Sequence, residues 1–183
     1  MMPPELGGPR LVLRPLAASD EAVYCAVYTD AELMREVAAP LTLAQAQRAF
    51  AAALVANASD TSHSAYWVLV ERQSAVGIGI LGLVGRAASD AAEVGAMILP
   101  GWHSRGFAAE AIAALADHAF ASLSLNRLHT RHAAGNAAAA GLMNKLGFVL
   151  TTIAAAGAHA CRWELRREHW PRAGANAQVD ACD

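Results

Sequence analysis

The stretch Ala92–Glu110, AEVGAMILPGWHSRGFAAE, constrains the fold more than any other part of this sequence. Its first half is apolar and strand-like and is stopped by Pro100, which has no N–H to give to a sheet ladder. Gly101, Ser104, Arg105 and Gly106 then make a loop, and an alanine-rich helix is predicted to start at once, over Phe107–Ser122. Arg127–His132 reads as the next strand. The unit is strand, helix, strand, with a parallel crossover between Glu93–Leu99 and Arg127–His132. A glycine loop feeding a helix N-terminus leaves several N–H groups unpaired beside the positive end of the helix dipole. That arrangement is a phosphate cradle, although an ordinary strand-to-helix turn shares its local pattern.

Short elements surround this unit. Arg10–Leu16 alternates apolar and polar residues as a strand does. Ser19 or Asp20 is placed to cap a helix ending near Thr29, and Asp30–Val37 adds a further helical turn. Thr42, with Gln45 three residues on, has the capping-box pattern for a helix to about Asn57. Ala65–Arg72 and Ala75–Val84 are strands by content; Asn136–Leu146 is a helix closed by Gly147. Phe148–Ala156 and Ala158–Arg166 form a predicted hairpin around Gly157. Residues 1–9 read as a flexible lead-in, residues 10–170 as one mixed α/β domain, and residues 171–183 as a disordered tail. The 183 residues are 55% hydrophobic and 16% charged, too apolar for an intrinsically disordered chain and enough for one core.

Several function classes fall away. A net charge of −2 gives no basic field for nucleic acid or anionic lipid. No run of about 20 residues is free of charged and turn residues, so neither a membrane span nor a membrane partner is expected. Met1–Arg10 holds no apolar leader, and the cytoplasm is the expected location. Cys25, Cys161 and Cys182 make no CxxC pair. His129 and His132, three apart on a strand, face opposite sides and make a poor metal pair, so no metal is expected. Gly77-Ile78-Gly79-Ile80-Leu81-Gly82 matches G-x-G-x-x-G, but a dinucleotide fingerprint needs those glycines in a turn opening a helix. Here they lie in an apolar run, read as a buried strand with glycines where another backbone comes close.

His103-Ser104-Arg105-Gly106-Phe107-Ala108 resembles the (Q/R)-x-x-G-x-(G/A) acyl-CoA loop of the GNAT superfamily of N-acetyltransferases. Leu13-Arg14-Pro15-Leu16, the glycine strand Val76–Leu81, Ala92-Glu93-Val94-Gly95, Asn136, Lys145-Leu146-Gly147-Phe148 and the closing Glu164–Trp170 stand in the same order as in that superfamily. The likeness covers about residues 10–170 and is nearest to the RimJ/RimL-type branch, whose members acetylate ribosomal-protein N-termini. It implies a GNAT-type fold: a mostly antiparallel mixed sheet flanked by helices and splayed between Glu93–Leu99 and Arg127–His132. Acetyl-CoA would be the co-substrate, lying in that gap. Main-chain N–H groups from Ser104 through Arg105, Gly106 and Phe107 to Ala108 would hold the pyrophosphate. The main chain at Ile98 and Leu99 would pair with the pantetheine amides, and Asn136 would hydrogen-bond the same arm. His103 stands where the family has Gln or Arg, a departure that main-chain binding tolerates.

A second departure bears on catalysis. Many members carry a tyrosine or a serine to protonate the departing thiolate; the matching positions here are Met143 and Ala139. No side-chain general acid is therefore assigned. Glu93, at the start of the strand flanking the acyl site, is the candidate base, set against an equally weighted structural role. The reading is an N-acetyltransferase in which a primary amine, from a peptide N-terminus or a small molecule, attacks the thioester directly in a ternary complex. The alternative is a CoA-binding sensor or interaction module without turnover. Acceptor choice is expected to lie in Asp20–Asn57 and around Gly157, and family analogy alone suggests a homodimer.

Overall fold

A computed structural model describes residues 2–35, 37–153 and 161–171. Eight strands form a single sheet: β1 Leu6–Gly7, β2 Leu11–Pro15, β3 Ser64–Glu71, β4 Gly77–Gly85, β5 Ala91–Ile98, β6 Arg127–His132, β7 Val149–Ile153 and β8 Cys161–Arg166. Their order across the sheet is β1-β2-β3-β4-β5-β6-β8-β7. Five helices complete the fold: α1 Glu21–Thr29, α2 Ala31–Met34, α3 Leu43–Ala58, α4 Phe107–Ser122 and α5 Ala137–Lys145. Among the described residues no helix is long and apolar enough to cross a membrane.

Every strand pair is antiparallel except β5–β6, which α4 joins as a parallel crossover. That pair meets over only three rungs, Ala91 with Arg127, Ala92 with Leu128 and Glu93 with His129. Beyond Glu93 the two strands run on unpaired, so the sheet opens as a V toward their C-terminal ends.

The sheet buries its two faces differently. Leu11, Leu13, Trp67, Leu69, Ile78, Val94, Ile98, Leu128, Trp163 and Leu165 pack with α4, through Phe107, Ala111, Leu115 and Ala119. On the other face Val68 and Ile80 pack with Tyr24, Val27, Phe50 and Ala53 from α1 and α3. The period-2 pleat sorts β5 accordingly: Ala92, Val94 and Ile98 lie in the α4 core, while Glu93, Gly95 and Met97 share the opposite face.

Local signals explain most boundaries. Thr42 Oγ1 accepts from the Gln45 N–H at 3.3 Å and Gln45 Oε1 from the Thr42 N–H at 2.8 Å, closing the expected capping box. The glycine run is a strand, β4, and a side chain at Gly79 would strike the Met97 carbonyl oxygen. Asp20 departs from expectation. It is buried, and rather than capping α1 its carboxylate accepts from the Ala17 N–H at 2.8 Å and from Arg14 at 2.7 and 3.1 Å. Within the lead-in, Leu6 pairs with Leu13 and Gly7 with Val12. The predicted turn at Gly157 and most of the predicted tail lie outside the described residues.

Candidate active site

The loop at the mouth of the V is built to leave donors free. Pro100–Trp102 makes one 3-10 turn, Ser104 has φ 60°, and Gly106 has φ 80° at the N-cap of α4. A left-handed N-cap favours glycine, and glycine has no side chain with which to cap. No side-chain hydrogen bond caps this helix, and its first internal bond runs from the Glu110 N–H to the Gly106 carbonyl at 3.1 Å. The N–H groups of Phe107, Ala108 and Ala109 are therefore left for an anion, at the positive end of a helix that runs to Ser122.

The start of α4 is anchored from far along the chain. Glu110 Oε1 accepts from the N–H groups of Arg10 and Leu11 at 2.7 and 2.8 Å, and Oε2 from Arg10 Nε at 2.9 Å. Arg10 Nη1 donates to the Arg105 carbonyl at 2.7 Å, and its guanidinium lies 4.7 Å from the centroid of the Phe107 ring. Arg105 lies over Trp102 at 5.0 Å. Trp102 and Phe107 thus serve the loop by packing, and Phe107 is itself buried. Sequence reasoning missed the Arg10–Glu110 brace, because nothing local marks partners that far apart.

Main-chain pairing decides which strand groups face the gap. The Leu99 N–H donates to the Ile78 carbonyl at 2.8 Å, and the Leu99 carbonyl accepts from the Trp102 N–H at 2.9 Å. In this structure the Leu99 main chain thus bonds to β4 through its N–H and to the loop through its carbonyl. By alternation the N–H and C=O of Ile98 and Ala96 point into the V. His103 is not a bystander: its Nε2 lies 2.6 Å from the Ile98 carbonyl, tying the loop to the strand end. Across the gap, Asn136 caps α5, with Oδ1 accepting from the Ala139 N–H at 2.9 Å. Its Nδ2 donates to no group among the described residues.

At the vertex Glu93 is heavily engaged. Arg131 Nη2 reaches Oε2 at 2.6 Å and Nε reaches Oε1 at 3.2 Å, while His129 Nε2 stands 3.6 Å from Oε2. Contact with His129, then with Arg131, holds the carboxyl well below the usual range, down to about 2, against the opposing effect of partial burial. Such a carboxylate is always charged but is a weak proton acceptor. His132 faces the other side, stacked on Trp163 at 6.0 Å, so the two β6 histidines are separated by the sheet. Among the described residues no three His, Cys, Asp or Glu side chains gather as a metal site.

Met143 is buried in the core and Ala139 lies in the first turn of α5, so neither supplies a hydroxyl. All three tyrosines of the chain, Tyr24, Tyr28 and Tyr66, instead gather on the face that carries Glu93, near Met97 and Leu99. Burial, then the neighbouring phenols, pushes the Tyr24 hydroxyl up; burial, then Tyr66, does the same to Tyr28. The i, i+4 spacing of Tyr24 and Tyr28 was visible in the sequence, but their approach to Tyr66 needs α1 docked against β4 and α3. A cleft of about 960 Å³ lies at the other end of β5, between Asp90, Asp117, Arg127, Arg167 and Trp170, away from the loop.

The family model for the acetyltransferase (GNAT) domain matches residues 10–149. The chain belongs to this family. GNAT structures share its architecture at low identity. An acetyltransferase from Agrobacterium tumefaciens is 24% identical, with TM-score 0.76, covering 91% of this chain and 96% of that one. A spermidine N-acetyltransferase from Vibrio cholerae, solved with CoA and spermine, is 20% identical with TM-score 0.75, covering 88% and 98%. RimL, a ribosomal L7/L12 alpha-N-protein acetyltransferase solved with CoA, is 13% identical with TM-score 0.77, covering 89% and 98%. No curated relative matches the chain in sequence. The GNAT fold thus accounts for the splayed sheet and for the loop at its mouth.

Proposed function

We propose that this GNAT protein transfers the acetyl group of acetyl-CoA to an α-amine, as the RimJ/RimL-type branch does. The observation that carries the reading is the uncapped start of α4, with its free N–H groups, at the mouth of a gap lined by unpaired strand edges. Main-chain donors from Ser104 to Ala108 hold the pyrophosphate, with Arg10 and Glu110 fixing the loop. Ile98 pairs with the pantetheine arm, and the Asn136 amide hydrogen-bonds it. The amine lone pair forms the new C–N bond to the acetyl carbon, the C–S bond breaks, and the thiolate leaves. Strand N–H groups facing the gap polarise the carbonyl. Glu93, permanently charged, draws the incoming ammonium to the vertex; its proton passes to water.

The preference for an α-amine follows from proton affinity. An α-amino group with pKa near 7.7–8.0 is neutral for roughly a quarter of the time at pH 7.4, whereas a lysine near 10.4 is neutral only about 0.1% of the time. A weak carboxylate and no matched hydroxyl acid leave little means of stripping a lysine. The test is competition between a lysine-free peptide with an open N-terminus and its N-blocked, lysine-containing counterpart. The open peptide is expected to be acetylated faster. Faster reaction of the blocked peptide overturns the α-amine reading, and no transfer to any amine overturns the transferase reading.

A further inference from the structure

The Ile98 carbonyl is taken before any ligand arrives. Leu99 gives its N–H to the Ile78 carbonyl on β4 at 2.8 Å. That N–H and the Ile98 C=O belong to one trans peptide and point in opposite directions, so the Ile98 oxygen faces the gap. The β5–β6 pairing ends at Glu93, and no strand among the described residues reaches this oxygen. The group that does reach it is the His103 ring, with Nε2 at 2.6 Å. A carbonyl only accepts, so Nε2 carries a proton and donates.

The place of the ring decides what it does. Neighbouring strands run about 4.8 Å apart, with an N–H nitrogen about 2.9 Å from each paired carbonyl oxygen. A donor 2.6 Å beyond the Ile98 oxygen therefore stands where the main chain of a neighbouring strand would run. His103 fills one rung of the ladder with a side chain. The loop is bent where it delivers this ring, since the next residue, Ser104, has φ 60°, a left-handed conformation that a residue with a Cβ adopts only against strain. His103 is itself exposed, so the ring has solvent to move into when the bond opens.

We propose that His103 is a plug in the cofactor gap. In the free protein its Nε2–H holds the Ile98 carbonyl, and the pantetheine arm of acetyl-CoA displaces it. An amide N–H of the arm and the ring compete for one oxygen and for one volume beside β5. The phosphate end meets no such competitor, because the N–H groups at the start of α4 carry no side-chain cap. The plug therefore weakens the arm alone, and a ligand without an amide-bearing arm leaves it in place. This inference rests on the CoA reading above and adds a competitor inside the same site.

The test is His103→Ala in the full chain, titrated by calorimetry with CoA and with ADP, which carries the pyrophosphate but no arm. The residue is exposed, so the variant is expected to melt within about 2 °C of wild type. CoA is expected to bind roughly three- to tenfold more tightly to the variant, the scale of one hydrogen bond no longer broken. ADP is expected to gain nothing. The sign separates the plug from a structural tie, whose loss would loosen the loop and weaken CoA. CoA affinity unchanged or weakened in His103→Ala, or ADP gaining as much as CoA, overturns the plug and leaves the CoA reading intact. A wild type that binds no CoA overturns both.

Discussion

Glu93 illustrates how far a neighbour alters what one residue does. As an isolated glutamate beside an acyl site it is a reasonable base. Held by Arg131 at 2.6 Å and approached by His129, it has a carboxyl depressed to about 2 and would have to take a proton from a group near pKa 8. That is uphill by about six units, or roughly 8 kcal/mol, so charge rather than basicity is what it offers an amine. Glu93→Gln is accordingly expected to raise the acceptor KM about tenfold, the scale of one charged hydrogen bond, with a smaller change in kcat. A collapse in kcat with KM unchanged would restore it as the base. The pairing has a stability signature too. Because the folded carboxyl ionises at lower pH than its ordinary value of 4.5, its contribution is present above that pH and is lost as the pH falls toward 2. Urea titrations of wild type and Glu93→Gln should therefore differ by a constant amount above pH 5 and converge below it.

At the scale of elements, the start of α4 depends on β2. One carboxylate, Glu110, satisfies the N–H groups of both Arg10 and Leu11, and its side chain is only 9% exposed. Glu110→Ala leaves two donors without their acceptor and is expected to destabilise the protein by about 1–3 kcal/mol. Because the same contact fixes the entry into the phosphate loop, CoA affinity is expected to weaken with it. A variant destabilised in denaturant titration yet unchanged in CoA affinity would separate the brace from the loop. The exposed Arg10 side chain is the lesser half of the pair, since solvent-screened ion pairs contribute little.

The splayed sheet sets the behaviour of the whole molecule. Three rungs hold β5 to β6, and beyond them the Ala96 main chain and the Ile98 N–H face the gap, with the Ile98 carbonyl tied to His103, while Leu99 is paired to β4. Amide exchange should report this division. In the free protein the Ala96 and Ile98 N–H groups are expected to exchange quickly and that of Leu99 slowly. Saturating acetyl-CoA should slow the first two by about tenfold or more while Leu99 stays slow throughout. Unchanged exchange at Ala96 and Ile98 would mean that the arm does not pair in the gap.

What the sequence determined by itself was local. The helix Phe107–Ser122 and the strand Arg127–His132 match expectation residue for residue, and the Thr42–Gln45 box forms as its spacing requires. The crossover, the loop and the strand nature of Gly77–Gly82 follow from turn chemistry and hydrophobic period, which act over a few residues. Tertiary structure decided the rest. Arg10 meets Glu110, Tyr66 meets the α1 tyrosines, Arg131 takes Glu93, and Leu99 spends its N–H on Ile78, because packing and register bring distant residues together. Gly95 shows the division most plainly. In the sequence it closes the Ala92-Glu93-Val94-Gly95 run, and only the paired strands around it show that a Cβ there would meet nothing within 4 Å.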